Sequence, residues 1–430
     1  MKYNTIAAFA AFGASSLVYA ASGTINVLTM NVGGQEVPGD KVENAKTIGS
    51  HLAQTNYDVV NIQSDFDNHD SIYETDKHSH RTTTLGGPGQ GDGLNTLSNL
   101  PYTNFRRIKW NKCSNAEGGD CNSPKGFTFM RVRVSEGVYI DMYNLQTDAG
   151  MKGDDVSARS SNLGQVSDYI KTWSEGNAVM VFGDTNSIFS RTADNINIFN
   201  EQNGMTDAWY TLVRKGDASA DITCYNPSDT LMCELGDKVI SRGSPLLKLD
   251  ATAFEYVGDS FLQSDGQVLS NRDPVKVSLT WTQGETLHQS GFVGEADGDA
   301  WFNDATALSA KSNRPKTATI AFSGGDVVTQ VSLTLNDNTK FEHGVVGSQS
   351  KELNLEVDEF WTTVDLCQGT ESGSGIVYIK ATTTKQGLLE VGKATNNCQT
   401  HSAPSGFQIV GFAGQSGSQI EQLSVIYGLR

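Results

Sequence analysis

Several polar segments of this chain stand next to apolar runs, and they hold the residue types that do chemistry. Asn31 follows Ile25-Asn26-Val27-Leu28-Thr29-Met30, and Asp184-Thr185-Asn186 follows Ala178-Val179-Met180-Val181-Phe182-Gly183. Asp237 precedes Lys238-Val239-Ile240, and Asn271-Arg272-Asp273-Pro274 precedes Val275-Lys276-Val277-Ser278-Leu279. Carboxylates gathered at such ends can hold a hard cation through oxygen. A second group, His69, His78 and His80 among Asp65, Asp67, Asp70 and Asp76, has the ligand types of a first-row metal site; a solvated loop is the plainer account. Lys125 can present an ammonium to phosphate. Arg106, Arg107, Lys109, Lys112 and Lys125 form either a local basic rim or ordinary surface charge.

These residues need elements to hold them. The apolar runs at 25–32, 57–63, 178–183, 238–240 and 275–279 read as strands, and 44–54 and 158–173 carry helical spacing. Residues 127–134 and 138–145, around Ser135-Glu136-Gly137, read as a hairpin, and 65–99 reads as irregular, with loop signals at Gly86-Gly87-Pro88-Gly89 and Gly91-Asp92-Gly93. Strands interleaved with helices imply a sheet sandwich covered by helices. From about Gly284 the helix signals stop. Short strands at 317–322, 330–335, 376–381, 407–412 and 423–427 alternate with turn residues, which implies an all-β domain. The expected organisation is a signal peptide at 1–20, a first domain at 21–283 and a second at 284–430.

A chain of 430 residues is too long for one ordinary core. Its formal net charge of -17 disfavours non-specific binding to nucleic acid, which asks for a basic face. Lys2, the short apolar run 6–18 and Val18-Tyr19-Ala20 form a secretory leader with cleavage before Ala21; a buried terminal helix is the alternative. No later stretch is apolar enough to anchor the chain in a membrane. The 6 cysteines fit export. Nearest-neighbour pairing, Cys113 with Cys121, Cys224 with Cys233 and Cys367 with Cys398, is the simplest of the arrangements open to them, and none has the spacing of a zinc knuckle.

Residues 23–281 resemble the deoxyribonuclease-I-like endonuclease/exonuclease/phosphatase superfamily. The resemblance rests on Leu28-Thr29-Met30-Asn31, Val59-Val60-Asn61-Ile62-Gln63, Tyr143-Asn144-Leu145, Gly183-Asp184-Thr185-Asn186, Asp237-Lys238-Val239 and Ser270-Asn271-Arg272-Asp273-Pro274-Val275, in that order. It implies a four-layer α/β (α+β) sandwich of two β-sheets flanked by helices, and a metal-dependent phosphoesterase or nuclease such as one using Mg²⁺. Asn31, Asp184, Asn186 and Asp237 match family positions. Ser64 stands where the family has a metal-binding glutamate, Gln146 where it has a phosphate-binding histidine, and Asn271-Arg272 where it has an Asp-His pair. Serine lacks the anionic oxygen a hard cation prefers, glutamine cannot shuttle a proton, and arginine stays protonated at any working pH. Arg272 is expected to pair with Asp184 or Asp237 and to supply the cation's charge. No metal is then expected, and the retained residues are vestiges of a site.

Residues 290–427 resemble jacalin-like lectins, which are β-prisms. The resemblance rests on Ser290-Gly291-Phe292, Ala300-Trp301-Phe302-Asn303-Asp304, Ser405-Gly406-Phe407-Gln408-Ile409-Val410-Gly411-Phe412 and Leu423-Ser424-Val425-Ile426-Tyr427. It implies a sugar-binding loop at Gly417-Ser418-Gln419-Ile420-Glu421, with Glu421 where the family has aspartate. Trp301 and Trp361 stack on a sugar or belong to the core. The expectation is a secreted, catalytically inactive relative of the phosphoesterases that binds carbohydrate or a cell-surface partner. Two alternatives remain: an active phosphoesterase with a rebuilt site, which requires divalent metal, and a lectin with an inert N-terminal scaffold.

Overall fold

Alternation along one strand explains the layering of the N-terminal half. In the strand Ser22–Asn31, Ile25 and Val27 enter one core while Leu28 and Met30 enter another. Val59 and Val60 divide the same way in Val59–Gln63, as do Met180 and Val181 in Ala178–Asp184. Successive side chains of a strand leave opposite faces, so both faces of these sheets are covered.

The computed structural model describes residues 20–33, 37–55, 57–85, 91–219, 222–370 and 375–430. The expected leader, up to Tyr19, and the Gly86-Gly87-Pro88-Gly89 loop lie outside the described residues. One six-stranded sheet runs Leu247–Tyr256, Val275–Gln283, Ser22–Asn31, Val59–Gln63, Asn95–Ser98, His80–Arg81. The other runs Tyr102–Lys109, Gly126–Ser135, Val138–Leu145, Ala178–Asp184, Asp237–Arg242, Thr206–Asp207. Their facing sides share one apolar core that includes Val27, Met142, Phe182, Val239 and Val277. The helix Lys41–Gln54 covers the outer face of the first sheet through Ala45, Ile48 and Leu52. The helix Gly153–Trp173 covers the second through Leu163, Val166 and Ile170. The result is the four-layer sandwich.

Several elements differ from the sequence expectation, among them the strands Tyr102–Lys109 and Leu247–Tyr256. The helix Lys41–Gln54 starts earlier than its apolar spacing, because the Asp40 carboxylate accepts from the Val42 and Glu43 amides at 2.9 and 3.1 Å; such a cap stabilises a helix by about 1 kcal/mol. The stretch 65–99 is not wholly irregular. It contains a helix, His69–Thr75, and the strands His80–Arg81 and Asn95–Ser98, all too short to display a period.

The C-terminal half is three antiparallel sheets around one core. Two have four strands each, centred on Val328–Leu335 with Thr317–Gly324 and on Ile376–Thr383 with Trp361–Gln368. The third pairs Phe407–Ser416 with Ile420–Leu429. Leu333, Trp361, Ile379, Phe412 and Val425 meet inside this β-prism. One short helix, Ala305–Ser309, interrupts the run of strands that the sequence suggested.

Disulfides join Cys113 to Cys121, Cys224 to Cys233, and Cys367 to Cys398. No described helix is long and apolar enough to cross a membrane. The halves meet through a polar network: Trp301 Nε1 donates to Glu175 O at 3.0 Å, Asn303 Nδ2 to Asn177 Oδ1 at 2.9 Å, and the Phe292 amide to the Tyr139 hydroxyl at 3.2 Å. Gly176 adopts φ +76°, and a Cβ there would lie 2.5 Å from Asn303, so both backbone conformation and space call for glycine at this joint.

Candidate functional site

The strand ends converge as the parallel register requires. Ser22–Asn31 lies parallel to Val59–Gln63, and Val138–Leu145 parallel to Ala178–Asp184, so Asn31, Ser64, Gln146 and Asp184 emerge at one end of the sandwich. Asp237 sits directly opposite Asp184 on the antiparallel neighbour. Gly183 is glycine because a Cβ there would be 2.4 Å from Leu145 O, and this close approach sets Asp184 at the mouth.

Asp184 is fully buried and both its oxygens are engaged. Oδ2 accepts from Asn31 Nδ2 at 2.8 Å; Oδ1 accepts from Arg272 Nη1 at 2.7 Å and the Asn186 amide at 3.0 Å. The same Arg272 nitrogen lies 3.5 Å from Asp237 Oδ2, and Nη2 donates to Asn186 Oδ1 at 2.9 Å. One guanidinium therefore joins Asp184, Asp237 and Asn186. The carboxylates raise Arg272 above its already high value, Asp184 most strongly. Burial, and then the Asp184 charge, push Asp237 up to about 7, with Arg272 opposing.

Ser64 and Gln146 meet beside this cluster, with Gln146 Oε1 buried and without a partner among the described residues. Gln146 Nε2 donates to Ser64 Oγ at 2.8 Å, and Ser64 holds φ 59° to turn the chain there. Asn271 is exposed, and its amide lies near Gly33. Behind them stands an amide ladder that sequence reasoning did not assign. Gln63 takes a hydrogen bond from Thr29 and gives one to Asn144 at 2.8 Å; Asn144 donates to Ile62 O and Asn95 O; Asn61 donates to Phe182 O. Amides inside the apolar predicted strands 57–63 and 138–145, at Asn61, Gln63 and Asn144, were the available signal, since buried polar groups need partners.

A resident divalent cation, which the family resemblance implies, asks for several anionic oxygens. The donor set does not fit one. Ser64 offers a hydroxyl already occupied by Gln146, the Asp184 oxygens are engaged, and the two carboxylates share a fixed positive charge at hydrogen-bond distance.

The other candidates are dispersed. His78 is buried against Asp76 at 2.6 Å and Tyr57 O at 3.0 Å, while His80 packs edge-on to Tyr102. The histidines and aspartates of 65–80 form no group that could hold a metal among the described residues. The basic rim does not assemble either: Arg107 pairs with Asp92, Lys125 with Asp120, Lys112 with Ser157, and Arg106 reaches Gly298 O and Gln415 across the domain joint. Trp361 is 0% exposed and belongs to the core, which overturns a sugar-stacking role. Trp301 carries the Arg131 guanidinium at 3.6 Å, so that face is taken by the neighbouring domain. At the lectin-type loop, Glu421 is half-buried and accepts from Gln419 at 2.8 Å; burial raises its carboxyl, Gln419 opposes, and Asp297 and Asp299 add to the rise.

With this geometry in view the family relations are clear. Residues 9–222 match Endonuclease/Exonuclease/phosphatase family 2, and residues 290–426 match the jacalin-like lectin domain. The chain carries an endonuclease/exonuclease/phosphatase domain joined to a jacalin-like domain. A sphingomyelinase of Mycobacterium tuberculosis is 32% identical over 273 residues, 60% of this chain and 53% of that protein. The chain thus spans about half the length of the curated relatives it matches. Among solved structures, a double mutant of Staphylococcus aureus beta toxin with bound magnesium ions shares 15% identity, covering 59% of this chain and 99% of that one, with a TM-score of 0.43. A mannose binding jacalin related lectin from Ananas comosus shares 13%, covering 34% and 99%, with a TM-score of 0.29.

Proposed function

We propose that the N-terminal domain is a catalytically silent member of its family and that the protein works by binding, outside the cell, with the jacalin-like half directed to carbohydrate or a cell-surface partner. In this reading a leader at 1–20 is removed, and 21–283 and 284–430 are the two working units. The observation that carries it is the Arg272 guanidinium held between Asp184 and Asp237. Hydrolysis of a phosphoester in this family asks for a cation held by carboxylates, a base for water, and donors for the developing charge. Ser64 and Gln146 supply neither an anion nor a base, and Arg272 cannot take a proton. Loss of a general acid or base alone costs about 10²–10⁴-fold, and further losses in one constellation add little because activity is already low. The disulfides support export, and the sphingomyelinase relatives support a phosphoesterase ancestry.

The test is hydrolysis of sphingomyelin, DNA, RNA and a generic phosphodiester with Mg²⁺, Mn²⁺ or Ca²⁺. Wild type is run beside a variant carrying Ser64→Glu, Gln146→His, Asn271→Asp and Arg272→His. The expected result is no turnover by wild type and gained turnover by the variant. Metal-dependent turnover by wild type would establish the rebuilt-site enzyme instead.

A further inference from the structure

Arg106 belongs to the N-terminal domain, yet its guanidinium ends in the jacalin-like half. The strand Tyr102–Lys109 shifts register against Gly126–Ser135 between Thr103 and Arg106, where Asn104 takes φ 60°. Asparagine tolerates that left-handed conformation, and an irregularity of this kind re-aims the side chains beside it. The Trp173 ring carries the guanidinium at 3.9 Å. A planar cation stacked on an aromatic face loses little further freedom when it donates hydrogen bonds. Its Nη2 faces three acceptors of the other half: Gly298 O at 3.2 Å, Gln415 Oε1 at 3.3 Å and Ala296 O at 3.4 Å.

These acceptors flank the lectin-type loop. Gly294 pairs with Gln422, and Ala300 pairs with Ser416. The turn 295–299 is therefore tied at its two ends to the strands that bound 417–421, and the two turns lie side by side. A Cβ on Gly417 would be 3.4 Å from Asp299 Oδ2, and one on Gly298 would be 2.7 Å from Gln415 Cβ.

The turn has little of its own to hold it there. In Gly294-Glu295-Ala296-Asp297-Gly298-Asp299 two glycines loosen the backbone, and three carboxylates stand within five residues. Burial raises the Glu421 carboxyl, and Asp297 and Asp299 add to that rise, so like charges of the two turns act on each other. Arg106 brings donors and a positive charge to the carbonyls of this acidic turn.

We propose that Arg106 is a positioning residue for the jacalin-like half. It holds the turn 295–299 against Gly417–Glu421 and, in the carbohydrate reading on which this part rests, makes ligand binding at that loop depend on the N-terminal domain. The catalytically silent domain then serves as a wall that shapes the lectin-type loop.

The experiment is hydrogen–deuterium exchange, read by mass spectrometry, on the intact, disulfide-bonded chain as wild type, Arg106→Ala, Arg106→Lys and Lys109→Ala. The methyl glycosides of mannose and galactose are titrated calorimetrically into each. Lys109 is an exposed cation of the same strand and controls for charge alone. In Arg106→Ala exchange should quicken about tenfold or more over 294–299 and 415–421, with the core strand Ile376–Thr383 and the melting temperature as in wild type. Arg106→Lys, which keeps the charge without the planar fork, should fall between, and Lys109→Ala should match wild type. Affinity for the glycoside that wild type binds should drop about tenfold or more in Arg106→Ala. Unchanged exchange at the two turns, faster exchange spread over the whole β-prism, an equal effect of Lys109→Ala, or equal glycoside affinity in wild type and Arg106→Ala would each overturn the proposal. A wild type that binds neither glycoside counts against the carbohydrate reading alone, and exchange at the two turns then decides the role of Arg106.

Discussion

The strand-end cleft and the domain joint both set an arginine against aspartate, and they differ in how far water reaches it: the Arg272 side chain is 30% exposed and that of Arg131 is 1% exposed. At the strand ends Arg272, Asp184, Asn31, Asn186, Ser64 and Gln146 are tied chiefly to one another, with Gln146 Oε1 left over. At the joint Arg131 is bound to Asp141 and stacked on Trp301, but its Nη1 is left over, as is Gln422 Oε1. Carboxylates that already share a guanidinium have little free energy to gain from a cation. The guanidinium of the strand ends is thus the partly solvated one of the two, and that of the joint is the buried one.

The comparison is tested hardest at Arg131. Arg131→Leu leaves Asp141 buried and charged, and costs about 3–5 kcal/mol in urea unfolding, because breaking a buried pair exposes the unpaired partner's desolvation. Adding Asp141→Leu recovers most of that loss; a double variant as unstable as the single would show that packing on Trp301, not charge, sets the cost.

Arg272→Leu is milder. The Arg272 side chain is 30% exposed, so solvent shares the screening of Asp184 and Asp237, and the expected loss is about 1–3 kcal/mol. The same variant frees both carboxylates, and Mn²⁺ should raise its melting temperature while leaving wild type unchanged.

The pH dependence has a definite sign. Asp237 is raised from 3.8 to about 7 in the folded state, so folding favours its protonated form. Its contribution to stability is full below about pH 4 and is lost as pH rises through about 7. Melting temperature should fall between about pH 4 and 7 for this reason, and Asp237→Asn should flatten that fall. An unchanged slope would assign it to another raised group, such as Asp65 or Asp148, each at about 6.

The smallest effect belongs to Ser64→Ala, which removes the hydrogen bond from Gln146 at a cost of about 1 kcal/mol or less. A larger loss, seen by thermal melting, would give that pair a structural role beyond one hydrogen bond.

Much of this was legible in the chain. Gly183-Asp184-Thr185-Asn186 after a buried run is a local fact that survives folding, and the Arg272 pairing followed from the family resemblance, which set that arginine beside Asp184, together with its charge. The sheet sandwich covered by helices followed from strands interleaved with helical spacing. What escaped reading is non-local. Nothing near Arg131 in sequence points to Trp301, and nothing near Gln63 points to Asn144; those contacts depend on how sheets and domains pack. The basic residues at 106–125 resembled a rim because sequence shows their charge and hides the acids and carbonyls that take it up.

The most direct test of the central claim is calorimetric titration of Mg²⁺ and Mn²⁺ into the wild-type protein at neutral pH. A guanidinium already bridging Asp184 and Asp237 predicts no saturable heat at millimolar metal. A stoichiometric divalent site, lost on Asp184→Asn, would contradict the account and return the strand ends to the enzymes.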